Sequence, residues 1–473
     1  MPPLKGFCGP TGVERSPFVA CDRLINFYLQ EASNQKGVYS LLSMPGLRPV
    51  ATLPSGPVRG LYISTVGRVF AATSTSLYEV FAGWSFLARG TIPTGTTPVS
   101  FTDDGRHVVM SAQGTGLAYE LATDTLTTIA PGDPALTFGQ LAYLDGRILT
   151  NQPGTRFFWY SDILNATSWP ALNFYAAEGR PDPLVTLYVD HREMWLFGSQ
   201  STEIWYSTGD ALSPFARNQS VFLEQGIETP WSVDATDNTV FWLGGTARGE
   251  GPAWTARGYS PVRISTHAME SAMAGMLTVG DCVTWAARHG GHAWVVYDFP
   301  SGGQTWAFDT ATSAWMELVA LAEDGSFLPY PCNQHCSAFG EHLFGHRATG
   351  ELFVWDPDYH MYGTGPRLCR RTAPHVRAEQ KRLRHKEFRL ECEMGVGLDG
   401  NQMPGSDPKI MLSYSDDGGR SWSQGRWRSA GRIGARQQQA VWYQLGMSRQ
   451  RAYEITITDP VKIALLGAYL EVG

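Results

Sequence analysis

Residues 290–318 read GGHAWVVYDFPSGGQTWAFDTATSAWMEL. This stretch begins with a glycine pair, continues with an apolar run that alternates around Val295 and Tyr297, turns at a second glycine pair and ends in an aromatic run. Alternation with a period of two places successive side chains on opposite faces of a strand, and paired glycines are typical of hairpin turns. The stretch therefore predicts consecutive antiparallel strands of one small sheet.

Variants of this phrase recur along the chain. We find seven copies, at residues 58–81, 105–129, 145–162, 191–210, 237–265, 290–318 and 340–357. Their spacing of about 40 to 50 residues is that of a four-stranded propeller blade. A blade can bury both faces only against neighbouring blades, so the pattern predicts a closed ring. It favours a β-propeller of seven blades, or of six if the third and fourth copies form one irregular unit. A stack of β-sandwiches is the less favoured alternative.

Two segments lie outside the repeats. After the last repeat, strand-like runs separated by Gly and Asp turns predict a β-sandwich of about 100 residues. The first 50 residues contain no copy and are expected to dock on another part of the protein. We therefore expect an all-β chain with three parts: an N-terminal docking segment (1–50), a β-propeller (51–365), and a basic connector with a C-terminal β-sandwich platform (366–473).

Composition agrees with this class of protein. The 473 residues include 43% hydrophobic and 17% charged side chains, 51 glycines and 35 tryptophans and tyrosines, as expected of a folded chain rich in strands and turns. No run of about 18 apolar residues predicts a membrane helix, and the start MPPLKGFCGPTG lacks the apolar stretch of a secretion signal. Seven cysteines in a long chain predict reduced thiols rather than a disulfide framework.

Charge is divided unevenly along the chain. Residues 366–473 hold 18 Lys and Arg against 11 Asp and Glu, a net charge of +7. Residues 1–365 hold 19 against 33, a net charge of −14. This division indicates two domains with different neighbours.

One motif suggests an enzyme. YSDDGGRSW (414–422) has the pattern of the Asp box, a hairpin turn that recurs in sialidases and related propellers; its pattern residues are Ser415, Asp417, Gly419 and Trp422. A sialidase-like glycosidase needs several cationic side chains and an acid–base pair, and such families usually carry several boxes. Here one full box falls outside the repeats, and the nearest phrase to their Arg-Ile-Pro is Arg263-Ile264-Ser265. Asp182, Glu203 and Glu224 are candidate carboxylates, but we expect them to be surface acids or turn caps, and the box to be a structural turn.

Cysteines and histidines also cluster once. Cys332, Cys336, His342 and His346 offer two thiols and two imidazoles, ligand types that zinc accepts. Their spacing is short for a zinc finger and no helix is predicted to present the histidines, so ordinary blade residues are the favoured interpretation. Phosphate-loop, nucleophile-elbow and metalloprotease motifs are absent from the sequence, and we expect neither enzymatic activity nor a cofactor.

A basic connector follows the repeats. Within residues 367–389 the cations Arg377, Lys381, Arg382, Arg384, Lys386 and Arg389 are dense and include pairs four apart, as on a helix. They could contact phosphate or an acidic protein, or simply be a solvated linker. We favour a protein partner, because no aromatic residues interleave with them as in a groove for single-stranded nucleic acid.

A set of short stretches runs through the chain: RLINFY (23–28), SMPG (43–46), FGSQSTE (197–203), QGI (225–227), DNTVFWLGG (237–245), GYSPVRIS (258–265), residues 388–397 and residues 441–472. Together they resemble one family, the packaged-DNA stabilisation or tail-hub (nozzle) proteins of short-tailed bacteriophages. Their order is that of the family and they span nearly the whole chain.

The resemblance implies a structural virion protein. Members assemble as a ring, usually of six copies, under the portal and its adaptor ring; the ring retains packaged double-stranded DNA, conducts it at ejection without sequence specificity, and anchors tail fibres or spikes and a needle or plug. It implies a place in the virion tail after synthesis in the host bacterial cytoplasm, and no catalytic residues. A sialidase-like glycosidase or a glycan-binding propeller is the alternative. The acidic character of residues 1–365 suggests that acidic faces line the channel, so that DNA slides without adhering.

Overall fold

Antiparallel hairpins follow one another along the computed structural model, which describes residues 1–32, 38–245, 251–400 and 403–473. One α-helix, His267–Ala274, interrupts the strands of these residues. Among the residues described, no helical segment has the length and hydropathy that spanning a bilayer requires.

Seven four-stranded antiparallel units, which we call blades I to VII, lie within the described part of residues 46–356. In order along each sheet, blade I comprises Gly60–Ile63, Val69–Ala72, Ser76–Val80 and Phe86–Thr91; blade II comprises Ser100–Asp103, His107–Ala112, Thr115–Glu120 and Thr125–Thr128. Blade III comprises Leu141–Leu144, Arg147–Asn151, Phe157–Tyr160 and Phe174–Ala176; blade IV comprises Leu184–Asp190, Glu193–Gly198, Thr202–Ser207 and Phe215–Leu223. Blade V comprises Val233–Thr236, Thr239–Leu243, Ala253–Arg257 and Ser260–Arg263; blade VI comprises Val283–His289, His292–Phe299, Gln304–Asp309 and Ala314–Glu317. Blade VII comprises Cys332–Ala338, Glu341–His346, Glu351–Asp356 and Gly46–Thr52.

Tight turns join the first two strands of several blades. In blade III the turn is Asp145–Gly146, with φ of 46° and 85°, and in blade IV it is His191–Arg192, with φ of 48° and 64°. Two central residues with positive φ are typical of the type I′ turn, whose twist matches that of the flanking strands. These turns fix the register of each hairpin and therefore which side chains face the neighbouring blade.

A strand from the N-terminal segment closes the ring. Gly46–Thr52 pairs antiparallel with Glu351–Asp356 as the fourth strand of blade VII. The innermost strands of blades VII and I contact each other, and an apolar cluster that includes Val69 and Leu343 fills the seam between the two blades. The first and last blades thus bury their faces against each other, as a closed ring requires.

The C-terminal domain is a sandwich of two sheets that also takes strands from the N-terminal segment. One sheet has the order Cys21–Ile25, Cys369–Thr372, Gln450–Ile457, Lys409–Ser415, Arg426–Ser429. The other has the order Phe27–Glu31, Tyr39–Ser43, Ala464–Val472, Leu383–Cys392, Ala440–Tyr443. Short strands complete the described fold: Gly12–Val13, Val319–Leu321, Phe327–Pro329, Met361–Tyr362, Gly365–Pro366, Val376–Arg377 and Met447–Ser448.

Propeller and sandwich share a sheet and a core. Ile25 pairs in parallel with Glu317 of blade VI, so the first sandwich sheet continues directly into that blade. One apolar cluster contains Trp294 of blade VI, Trp355 of blade VII, and Phe388 and Trp442 of the sandwich. Burial of this common cluster fixes the sandwich to blades VI and VII.

The expectation of an all-β chain, with a propeller followed by a sandwich, is confirmed. The helical spacing in the basic connector was misleading, because Leu383–Cys392 is a ten-residue strand that pairs on both sides. His385, Phe388 and Leu390 of this strand are buried while Arg384 and Lys386 are exposed. Burial of these side chains in the sandwich outweighs the spacing of the charges.

Candidate functional site

The box turn at residues 415–422 is held by its own side chains. Asp417 accepts hydrogen bonds from the Ser421 amide (2.9 Å) and the Ser421 hydroxyl (2.6 Å). The Ser415 hydroxyl donates to Asp417 (2.7 Å) and accepts from the Gly419 amide (2.8 Å). These bonds hold the pKa of the Asp417 carboxyl well below its ordinary value. Gly419 lies between Cys21 and the half-buried Trp422, so all four pattern residues serve the turn.

Asp416, which lies between the pattern residues Ser415 and Asp417, is hydrogen-bonded to a distant strand, a contact that the sequence motif does not reveal. Asp416 receives two hydrogen bonds from the guanidinium of the buried Arg451, at 2.6 and 2.7 Å. The same guanidinium lies over the ring of Tyr414, 3.9 Å from its centroid. A bidentate pair with a stacked ring orients the arginine strongly. The box is thereby joined to the strand Gln450–Ile457.

The cations of the predicted connector gather at the same end of the sandwich. We call Arg377, Lys381, Arg382, Arg384 and Arg449 the basic corner; all five are exposed. Arg377 pairs with Gln450 in the short strand Val376–Arg377, and its guanidinium donates to the carbonyls of Phe18 and Val19. Arg449, a member that the sequence interpretation missed, lies beside the Met447–Ser448 strand that pairs with Leu383 and Arg384.

The four proposed zinc ligands do not converge. Cys332 and His346 are cross-strand partners, but Cys336 packs into the seam with blade I while Cys332 belongs to the core shared with the sandwich. A bulge between Cys332 and Gln334 causes this, because residues four apart in a regular strand would share a face. Among the residues that the structure describes, no group of three or more Cys, His, Asp or Glu side chains has a metal-binding arrangement.

A histidine pair occupies this region instead. Nε2 of His335 lies 3.0 Å from Nδ1 of His342, and burial lowers the pKa of His335 to about 3. Trp285 and Phe344 pack around the His335 ring. The pair is thus a neutral hydrogen-bonded contact in the packing between blades VI and VII.

Two of the three candidate carboxylates of an enzyme, Asp182 and Glu203, have a local structural role. Asp182 accepts from the amides of Gln200 and Ser201 at 2.8 and 3.1 Å. Glu203 accepts from Trp205 Nε1 at 2.8 Å. Arg263 pairs with Glu270 of the helix, so it is not a free anchor for a substrate carboxylate. Glu224 is exposed on the loop after blade IV.

A narrow cavity follows the propeller axis. It has a volume of about 250 Å³ and is lined by the innermost strands and their flanks. Each of blades II to VII contributes polar side chains from its innermost strand or the residue before it, among them Ser100, Gln140, Thr186, Asp234, Thr284 and Gln334. It shares its wall with a wider cavity of about 620 Å³ at one end. Desolvation raises the pKa of Asp234 to about 6. The axial cavity has room for about eight water molecules and is far too small for a nucleic-acid duplex.

The junction of propeller, N-terminal segment and sandwich is organised by Asn26. Its side-chain amide donates to the carbonyls of Val319 (2.7 Å) and Leu368 (2.6 Å), and its side-chain oxygen accepts from the Val319 amide (3.0 Å). Asn26 is fully buried and has a φ of 53°, a conformation that asparagine tolerates better than most residues. Asn26 of the RLINFY stretch therefore joins the N-terminal segment to the segments around Val319 and Leu368.

Two family models match nearly the whole chain. The one described as "Bacteriophage P22 Gp10, beta-propeller" matches residues 24–360, and the one described as "Bacteriophage P22 Gp10, beta-sandwich" matches residues 369–473. The first range covers all seven blades together with the N-terminal strands that join the sandwich, and the second covers the C-terminal part of the sandwich. A search of curated protein sequences finds no match.

Matches among solved structures have low sequence identity and low TM-scores. A chain of the mitotic checkpoint complex is 14% identical, with 66% of this chain and 94% of that chain covered and a TM-score of 0.40. The N-terminal domain of Nup159 is 10% identical, with 71% and 99% covered and a TM-score of 0.42. PorZ from the type-IX secretion system of Porphyromonas gingivalis is 13% identical, with 80% and 46% covered and a TM-score of 0.38.

Proposed function

The chain belongs to the bacteriophage P22 Gp10 family, and from this premise we propose that it is a structural protein of a phage tail. Copies of it form a ring, of six by the family resemblance, that serves as hub and channel beneath the portal and adaptor. The ring retains packaged DNA, conducts it without sequence specificity at ejection, and anchors fibres or spikes and a needle or plug. The observation that carries this proposal is the family match across both domains.

The dimensions of the propeller constrain where DNA passes. The axial cavity of about 250 Å³ cannot hold a duplex, so the conduit in this proposal lies between copies and not through one propeller. Residues 1–365 carry a net charge of −14. If propeller faces line the conduit, their charge repels phosphate and disfavours adhesion. A ring whose lumen is net positive would contradict that part of the proposal.

A structural role is also supported by the sites described above. The box acid, the candidate carboxylates Asp182 and Glu203, and Arg263 all have partners within the chain. We therefore propose that the protein acts by assembly rather than by catalysis, in the virion tail after synthesis in the host cell.

DNA retention tests the proposal. In a phage whose copy of this gene is interrupted, we expect heads that package DNA but lose it, measured as nuclease-protected genome per particle. Complementation with the wild-type chain restores retention. Full retention and normal infectivity without the chain would contradict the proposal.

A further inference from the structure

The basic corner is built from separate parts of the chain. Leu383 pairs with Ser448, which places Arg382 and Arg449 at corresponding positions one residue beyond that pair. Arg377 pairs with Gln450, the immediate neighbour of Arg449. The turn between these strands contains Lys381, whose side chain pairs with Glu379 at 3.5 Å. Five cations therefore share one exposed corner of the sandwich.

No counter-charge is found for three of these cations in the described ranges of the chain. Arg382, Arg384 and Arg449 form no ion pair or side-chain hydrogen bond with any residue that the structure describes. Further along the same strand the pattern differs: Lys386 pairs with Glu471 (3.3 Å) and Arg389 with Glu387 (2.8 Å). Like charges facing each other across paired strands are destabilising. An acidic surface from outside the chain would remove this repulsion.

The charge of the chain indicates which surface that is. Residues 1–365 carry −14 and residues 366–473 carry +7. Between two copies, contacts of propeller with propeller or sandwich with sandwich bring like charges together, whereas sandwich with propeller brings opposite charges together. Such a head-to-tail contact is heterologous, the type that generates closed rings.

We propose that the basic corner of one copy contacts the acidic propeller of the next copy. This inference rests on the ring of the proposed function and specifies its contact. DNA is the less favoured partner for the corner, because the −14 charge of residues 1–365, which include the propeller, repels phosphate at long range.

Cross-linking in virions tests the contact directly. The full chain carries a photoreactive benzoylphenylalanine in place of Arg382 and is incorporated into phage that lack their own copy. Mass spectrometry of irradiated virions should find links from residue 382 to residues 51–365 of another copy. Links to residues 366–473 of another copy, nuclease-sensitive links to DNA, or no link to another copy in virions that contain the chain would each overturn the inference.

Charge reversal gives a second readout. Arg382→Glu/Arg384→Glu should lower the amount of chain per virion at least tenfold, measured by quantitative immunoblot. Arg432→Glu/Arg436→Glu makes the same charge change on exposed residues outside the corner and should lower it less than twofold. Equal losses for the two variants, with both soluble and folded by circular dichroism, would overturn the inference. Absence of the wild-type chain from virions would instead overturn the proposed function, and the inference with it.

Discussion

Replacement of Asn26 tests how the propeller is joined to the sandwich. Asn26→Ala removes three buried side-chain hydrogen bonds, to the carbonyls of Val319 and Leu368 and from the Val319 amide. Each bond contributes about 1 kcal/mol net, and a buried group left without a partner costs about 1–3 kcal/mol. The positive φ of 53° adds about 1 kcal/mol for alanine. We therefore expect a loss of about 4–7 kcal/mol in the free energy of unfolding.

Two further replacements separate the causes. Asn26→Gly removes the same bonds but accepts the positive φ, so it should be about 1 kcal/mol more stable than Asn26→Ala. Asn26→Asp keeps the shape of the side chain but places a carboxylate against two carbonyl oxygens, so it should be at least as damaging as alanine.

Urea unfolding followed by tryptophan fluorescence measures these differences. Asn218→Ala is the control, because Asn218 accepts a local bond from the Ser220 amide within one strand of blade IV and has no longer-range side-chain bond to the described part of the chain. We expect a change below about 1 kcal/mol. A loss below about 1.5 kcal/mol for Asn26→Ala, or no difference between alanine and glycine, would refute the assigned role of Asn26.

Three other predictions follow from single side chains. Asp234→Asn should flatten the pH dependence of stability. Burial raises the pKa of Asp234 to about 6, so the wild-type chain should lose about 1–3 kcal/mol of its free energy of unfolding as the pH rises from about 4 to 6, and the variant should not. An equal loss in both chains in urea titrations would contradict this. Asp417→Ala should lower the thermal unfolding midpoint without abolishing any chemistry, since it removes both bonds to Ser421. The control Asp399→Ala, at an exposed residue, should leave the midpoint unaltered. The opposite order in differential scanning calorimetry would count against a structural role of the box in its turn. Arg371→Lys should accelerate amide hydrogen exchange in residues 6–10 at least tenfold relative to the control Arg436→Lys. The buried Arg371 guanidinium donates to the carbonyls of Gly6, Phe7 and Pro10, and a lysine ammonium cannot reach all three. Unchanged exchange would show that these bonds do not hold the segment.

Local patterns in the sequence were enough to predict the propeller. The phrase around Val295 and Tyr297 combines strand alternation with turn residues, and both signals come from neighbours in the chain. Ring closure by Gly46–Thr52 depends on pairing with a strand about 300 residues away, and a local pattern does not specify such a partner. The same holds for Asn26, whose three side-chain bonds join distant segments.

The candidate sites depended more on tertiary context. The role of Asp417 in a turn follows from its motif, because the bonds involved lie within four residues. The zinc hypothesis did not include the bulge between Cys332 and Gln334, because of which Cys332 and Cys336 lie on different faces of the sheet. Arg449 was missed as a member of the basic corner because it lies far in sequence from Arg382 and joins it only through strand pairing.

Electron cryomicroscopy of intact virions would show whether the chain forms a ring in the tail. We predict a closed ring of copies of this propeller and sandwich beneath the portal, with DNA density in the space between copies and none along a propeller axis. Virions whose tails lack this fold, or duplex density inside a single propeller, would contradict the account.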